Sequence, residues 1–221
     1  MKHTFLVLTA LACCLSPTAM AENQIWTSAS VKTKPFTDDR IELSLNSDFR
    51  YQPDGDLDTI ELRPGIGYKL SKRFKVSGGY LWSSARRSGP DRKEHRLWQQ
   101  VSYDIVDALG GEFSGRSRLE QRQREGWDDT GLRLRQEFGF DRPIEGTPFE
   151  LKLSTDLYFE LNETDWGQTT GFTEARSEIL IGWDLTDTLD MEVGYMNQFE
   201  NEKGGPDNTN HHIVLGLSKR F

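Results

Sequence analysis

From residue 24 to its end the chain alternates apolar and polar side chains with a period of two, the pattern of strands that separate two different surroundings. It is clearest at residues 149–161. There Phe149, Leu151, Leu153, Leu157, Phe159 and Leu161 interleave with Glu150, Lys152, Ser154, Asp156, Tyr158 and Glu160. The same pattern runs through 40–51, 60–70, 94–105, 172–184 and 189–200, and more weakly through 24–34, 74–82 and 211–221. Two further runs, 113–124 and 130–140, flank the break EGWDD. Turn chemistry separates the runs, as in QPDGD and RPIEGTP. This gives eleven candidate strands, no convincing helix, and the hairpin spacing of an up-and-down meander. The expected fold is all-β: a single up-and-down antiparallel barrel of about 10–12 strands. Membrane barrels of one chain usually have an even number, so 24–34 is either not a full strand or one strand is unseen.

The polar face decides what surrounds the barrel. Arg116, Arg118, Glu120, Arg122 and Arg124 share one face of 113–124, and Arg133, Arg135 and Glu137 share one face of 130–140. The same phase carries Trp98, Tyr158, Gly65, Gly67, Gly131 and Gly139. Bulky aromatics and glycines beside arginines suit a crowded lumen better than an open wet face. The apolar face gathers aromatics near strand ends, such as Phe49, Tyr51, Tyr80, Trp82, Tyr103, Phe138, Phe140, Trp183 and Phe199, as interfacial girdles do. A transmembrane barrel with apolar residues outside and charge inside is therefore expected, closed because lipid satisfies no open sheet edge. The alternative is a soluble barrel of lipocalin type with an apolar interior.

The two ends agree. Lys2 and His3 precede an apolar run, Phe5 to Leu15, that is too short to span a bilayer, and Ala19-Met20-Ala21 is a small-x-small site. Residues 1–21 read as a signal peptide cleaved after Ala21, leaving one barrel domain over 22–221. Both cysteines, Cys13 and Cys14, lie in that leader, so the mature chain can form no disulfide. Loss of Lys2 with no acid takes the formal charge from −8 to −9. That balance argues against nucleic acid as a partner. Mean hydropathy is −0.65, and no apolar run of transmembrane-helix length remains. At the other end Ile213, Leu215, Leu217 and Phe221 share a face. A terminal Phe closing an alternating strand is the signature that barrel-insertion machinery reads, although Lys219 stands where an apolar residue is usual.

Motifs for chemistry are sparse. His95 begins a strand near Ser83 and Ser84, which allows a Ser-His contact at a rim. No Gly-x-Ser-x-Gly stretch supports it. His211 and His212 are adjacent on a strand and point to opposite faces, so they cannot hold one metal together. Asp38-Asp39 and Asp128-Asp129 are turn acids. No catalytic residue, metal or cofactor is expected.

At RPGIGYKL (63–70), EHRLWQQVSY (94–103), SRLEQR (117–122) and LRLRQEF (132–138) the chain resembles DUF2490, a bacterial family grouped with outer-membrane barrels. The resemblance covers essentially the whole mature chain. It implies a barrel and an outer-membrane location, and it brings no reaction, ligand or site residue. In size and architecture the chain is also similar to small monomeric porins for acidic oligosaccharides, a likeness of fold and not of function.

The lumen carries what functional signal there is. Arg63, Arg96, Arg116, Arg118, Glu120, Arg122, Arg124, Arg133, Arg135, Glu137, Glu160, Glu174, Arg176 and Glu178 are expected to line it. Arginines concentrate on the fifth to seventh strands. Acids, including Glu150, Asp156, Asp190, Glu192 and Glu200, concentrate on the eighth to tenth. Six same-face arginines with only Glu120 and Glu137 beside them need compensation, from acids on the opposite wall or from passing anions. The expected function is a small channel for modest polar or anionic solutes. The alternatives are a plugged structural barrel and, last, a rim enzyme acting on envelope lipid. Expected partners are outer-membrane lipid, the insertion machinery at the Phe221 strand, and a small polar or anionic solute.

Overall fold

The computed structural model describes residues 23–221, so the leader reading of residues 1–21 lies outside the described residues. Eleven strands follow in order: β1 (Gln24–Thr33), β2 (Ile41–Tyr51), β3 (Leu57–Lys69), β4 (Phe74–Ala85), β5 (Arg92–Ala108), β6 (Gly111–Arg124), β7 (Thr130–Pro143), β8 (Phe149–Glu160), β9 (Gly171–Thr186), β10 (Leu189–Glu200) and β11 (Asn208–Arg220). They close into one barrel, and no helix occurs among the described residues. Each strand pairs with its sequence neighbours in antiparallel fashion, except at the seam. There β1 lies parallel to β11, Gln24 opposite His212 and Lys32 opposite Arg220. This corrects the expectation of a wholly antiparallel barrel and accounts for the odd count. Residues 24–33 are a true strand inserted between β2 and β11, which run antiparallel to each other. An odd barrel must contain one parallel pair, because alternating strand direction cannot close on an odd number.

The turns at 34–40, 70–73, 109–110, 144–148 and 187–188 and the terminal Phe221 lie at one end, the turn end. The loops 52–56, 86–91, 125–129, 161–170 and 201–207 lie at the other, the loop end. Leu109 and Gly110 join β5 to β6 with φ of 56° and 76°. Positive φ at both positions of a two-residue hairpin gives the primed turn whose twist matches the strands. In the 34–40 turn, Asp38 accepts the backbone N–H and the guanidinium of Arg40. That pair draws its carboxyl down to about 2.

Facing follows the alternation. Ile66, Leu97 and Ile213 are each more than half exposed on the outer surface, while Glu120 is 1 % and Arg118 4 % exposed inside. An apolar outside around a charged inside is the reverse of a lipocalin-type interior and excludes that alternative. Outward aromatics form two tiers. Phe74 and Tyr103, Phe113 and Phe140, and Phe149 and Trp183 contact one another near the turn end. Phe159, Phe172 and Phe199 do so near the loop end. Inside, Gly65 and Gly79 make room for the Trp98 ring. A Cβ would come within 2.7 Å and 2.8 Å of Trp98 Cζ2, respectively. Pro64, just before Gly65, has no N–H, and the β3–β4 pairing skips from Leu62–Trp82 to Gly65–Gly79.

Candidate functional site

The inward side chains near the loop end join into a ring. On β5, Glu94 takes Arg96 Nε at 2.5 Å and Arg122 Nε at 2.7 Å. Arg122 Nη1, from β6, reaches past β7 to Glu160 on β8 at 2.8 Å. Arg133 of β7 lies 4.0 Å from the same carboxylate. Tyr158 follows on β8, with Arg133, Arg135 and Arg176 stacked against its ring at 5.1, 4.6 and 4.8 Å. On β9, Glu174 accepts Arg176 Nε at 2.5 Å and Gln198 Nε2 of β10 at 2.6 Å. Gln198 Oε1 accepts His212 Nε2–H of β11 at 2.9 Å, and His212 Nδ1 accepts the Gln24 N–H of β1 at 3.2 Å. Those two bonds together assign the neutral Nε2–H tautomer. Trp26 of β1 receives Arg50 at 4.0 Å and Arg176 at 4.8 Å. Arg50 of β2 meets Glu61 of β3 at 3.5 Å, and Glu61 returns to Arg96 at 3.6 Å. Every strand but β4 contributes, and β4 places the small Ser83 opposite Glu61 and Glu94.

A second layer lies beneath. Glu120 holds Arg133 at 2.6 Å and Arg135 at 3.3 Å, Asp156 pairs with Arg135, and Glu137 pairs with Arg116. Arg118 gives Nε and Nη2 to Gln100 Oε1 and lies 4.9 Å over Trp98. The 161–170 loop covers the ring on one side. Trp166 stacks on Arg124 at 3.9 Å, and Gln168 is buried against β7. Gly131 leaves the room: a Cβ there would come within 2.4 Å of Gln168 and 2.6 Å of Trp166.

All fourteen residues expected to line the lumen occupy inward positions of their strands. Of Glu160, Glu174 and Glu178, the acids expected to compensate the arginine wall from across the barrel, Glu160 does so, but from β8, next to β7. The acids that meet Arg122, Arg133 and Arg135 are Glu94 on the adjoining β5 and Glu160 and Asp156 on the adjoining β8, together with Glu120 of β6. They do not come from an opposite wall. Glu174 is committed to Arg176 on its own strand, and Glu178 takes Ser154 Oγ at 3.4 Å. Arg63 bonds Asp48 at 3.0 Å and Arg124 bonds Glu94 at 3.1 Å. The side chains interleave because guanidinium reach exceeds the spacing of two strands. Trp26, Arg50, Glu61, Glu94 and Gln198 join the ring without being singled out from the sequence, where His212 is weighed only as a metal ligand. Each does sit in the inward phase, which was the one signal available.

The rim pair is not assembled. His95 faces outward, bonded to the Tyr80 hydroxyl and to Glu125, whereas Ser83 faces inward and Ser84 stands opposite Lys93. His211 also faces outward, against the Tyr195 hydroxyl, while His212 faces in.

Two cavities occupy what remains of the interior. The central one, about 450 Å³, runs from Thr59 and Glu200 near the loop end down to Ser28 and Glu192. The second, about 540 Å³, shares Ser28 and Glu192 in its wall and extends to Lys32, Ser218 and Arg220 at the turn end. Nine arginines and eight carboxylates border the central cavity. The passage hugs the β9–β1 side, where Ser28, Ser30, Gly182, Gly216 and Ser218 are small. On the β5–β8 side the central cavity is bordered by the long side chains of Arg96, Arg122, Arg135 and Tyr158.

A family model described as Protein of unknown function (DUF2490) matches residues 23–210. An uncharacterised protein of Methylorubrum extorquens is 30% identical over 168 residues, 75% of this chain and 74% of its own. Among solved structures, an anion-selective porin from Comamonas acidovorans aligns over 85% of this chain at 13% identity with a TM-score of 0.39. The chain spans about half the length of that porin, 56% of it.

Proposed function

The chain belongs to the DUF2490 family, and from that premise we propose that it is an outer-membrane barrel with a narrow, off-centre pore for small polar solutes. The observation that carries the pore is that the two interior cavities share Ser28 and Glu192 in their walls and between them reach from Thr59 and Glu200 toward the loop end to Lys32 and Arg220 toward the turn end. Membrane placement is supported by the two aromatic tiers. On β8, Phe149 and Phe159 are ten residues apart. At strand rise and barrel tilt that is about 25 Å along the axis, the height of an outer-membrane apolar band. The leader and the terminal Phe221 supply the route: export, then recognition by the insertion machinery. Most of the arginines around the central cavity are already paired with carboxylates, so a strong preference for anions is not part of this reading.

The ring favours a second reading. Its carboxylates, guanidinia and aromatics contact one another almost all the way round, and a barrel filled by its own side chains conducts nothing. Purified protein in planar bilayers separates the two. Small, stable single-channel steps are expected. Insertion of folded, heat-modifiable barrel with no conductance would leave the plugged barrel standing. Recovery of the folded chain from the soluble periplasm would end both.

A further inference from the structure

Four buried polar atoms without a hydrogen-bond partner belong to residues that line the central cavity: Arg50 Nε, Arg63 Nε, Asp156 Oδ1 and the Tyr158 hydroxyl. They are not surface groups that water satisfies freely. Tyr158 is 1 % and Asp156 6 % exposed. A buried polar group without a partner costs free energy comparable to a lost hydrogen bond, so four among the residues around one cavity are a standing demand for a partner that a small side-chain shift could bring within reach of a ligand. From these atoms we propose that the central cavity is a binding site for a small, neutral, polyhydroxylated solute of sugar or polyol chemistry.

The argument rests on which groups are unmet. Arg50 and Arg63, on β2 and β3, offer donors. Asp156, on β8, offers an acceptor, and the Tyr158 hydroxyl can serve as either. A small oxyanion brings acceptors alone. It would satisfy the guanidinia and set negative charge against Asp156. A small cation brings donors alone, with the converse conflict. A solute rich in hydroxyls gives and accepts at each position and carries no charge into the site. The wall is suited to that neutrality, because its nine arginines and eight carboxylates nearly cancel. Most of the charged heads are held by one another, as in Arg63–Asp48 at 3.0 Å and Arg176–Glu174 at 2.5 Å. They need no counter-ion from the solute. Size is compatible, since about 450 Å³ lies within the range of small-molecule sites.

This inference rests on the pore reading for how the solute arrives, but binding is measurable without conduction. Trp26 lines the cavity, so its fluorescence reports occupancy in detergent micelles. The full-length mature barrel would be titrated with glucose, sorbitol, sodium sulfate and glycine. A saturable change with glucose and sorbitol is expected, with none from sulfate or glycine. Tyr158→Phe keeps the ring that the arginines stack on and removes one hydroxyl. It should weaken glucose binding about fivefold, the effect of one neutral hydrogen bond, in protein that still shows heat-modifiable mobility. A response to sulfate or glycine, no response to glucose, or equal affinity in Tyr158→Phe would overturn the site. Glucose binding by a barrel that never conducts would overturn the pore alone. Conductance without any glucose response would overturn the site alone.

Discussion

Arg116 and Arg122 lie on the same inward face of β6 and are expected to behave oppositely when replaced. The Arg122 side chain is 7% exposed and bridges Glu94 and Glu160, whereas the Arg116 side chain is 26% exposed beside Glu137 and Asp156. Arg122→Leu leaves buried Glu160 with only Arg133, 4.0 Å away, and takes one of three arginines from Glu94, and should cost roughly 3–5 kcal/mol, the range for breaking a buried pair. Urea unfolding in micelles would show it as a lowered midpoint. Arg116→Gln should cost about 1 kcal/mol or less, because that pair is partly hydrated. It should instead move the reversal potential toward cations. Equal loss of stability in both would mean that burial does not separate the two arginines. At this scale the sequence carried the face of each arginine through the period of two. It did not carry the partner. Glu94 belongs with Arg122 because β5 and β6 are adjacent and Glu94 stands opposite Arg124, one inward position away. Glu160 belongs with it because a guanidinium spans the small Gly131 of β7. Strand alternation encodes neither relation.

At the scale of elements, β1 is the informative strand. Its sequence alternates weakly, with Thr27 and Ala29 among its outward residues, and it forms the one parallel pair of the barrel. Parallel ladders are slightly less stable per residue. The strands β2 to β11 could close among themselves as an even, all-antiparallel barrel. Amides of residues 26–31 are therefore expected to exchange with deuterium before those of β6 and β7 in the micelle-bound protein. Uniform protection around the barrel would contradict this. By contrast β8 was legible almost entirely, since its two faces differ so sharply. Leu153 stands midway between the aromatic tiers on its outer face. Leu153→Arg should cost roughly 2–4 kcal/mol if that face meets lipid near the midplane. Tolerance of that arginine in a refolding assay would put the face in water. The parity puzzle arose here as well: alternation identifies strands and is blind to the direction of the pair that closes them.

For the whole molecule, the question is whether the charged interior acts as a selectivity filter or as a self-neutralised lining. The two cavities together are bordered by twelve basic side chains and eleven acidic ones, Glu192 being shared. Ion selectivity in pores comes from an uncompensated ring or a field across a constriction. Neither arises when arginines and carboxylates alternate around the wall at hydrogen-bonding distance. The central cavity has a balance of one positive charge and the turn-end cavity, with Lys32, Lys152 and Arg220 against four acids, one negative charge. Opposite small biases in series cancel in the net preference and leave a weak rectification. The wild-type reversal potential in a steep KCl gradient should therefore stay near zero and depend little on ionic strength, because the pairs are formed within the wall and screened little by added salt. Arg116→Gln and Lys152→Gln act on the two cavities separately, and each should shift the potential toward cations without closing the pore. A wild-type barrel strongly selective for anions would mean that part of the arginine wall is unpaired in the membrane. Strong cation selectivity would mean the same of the carboxylates.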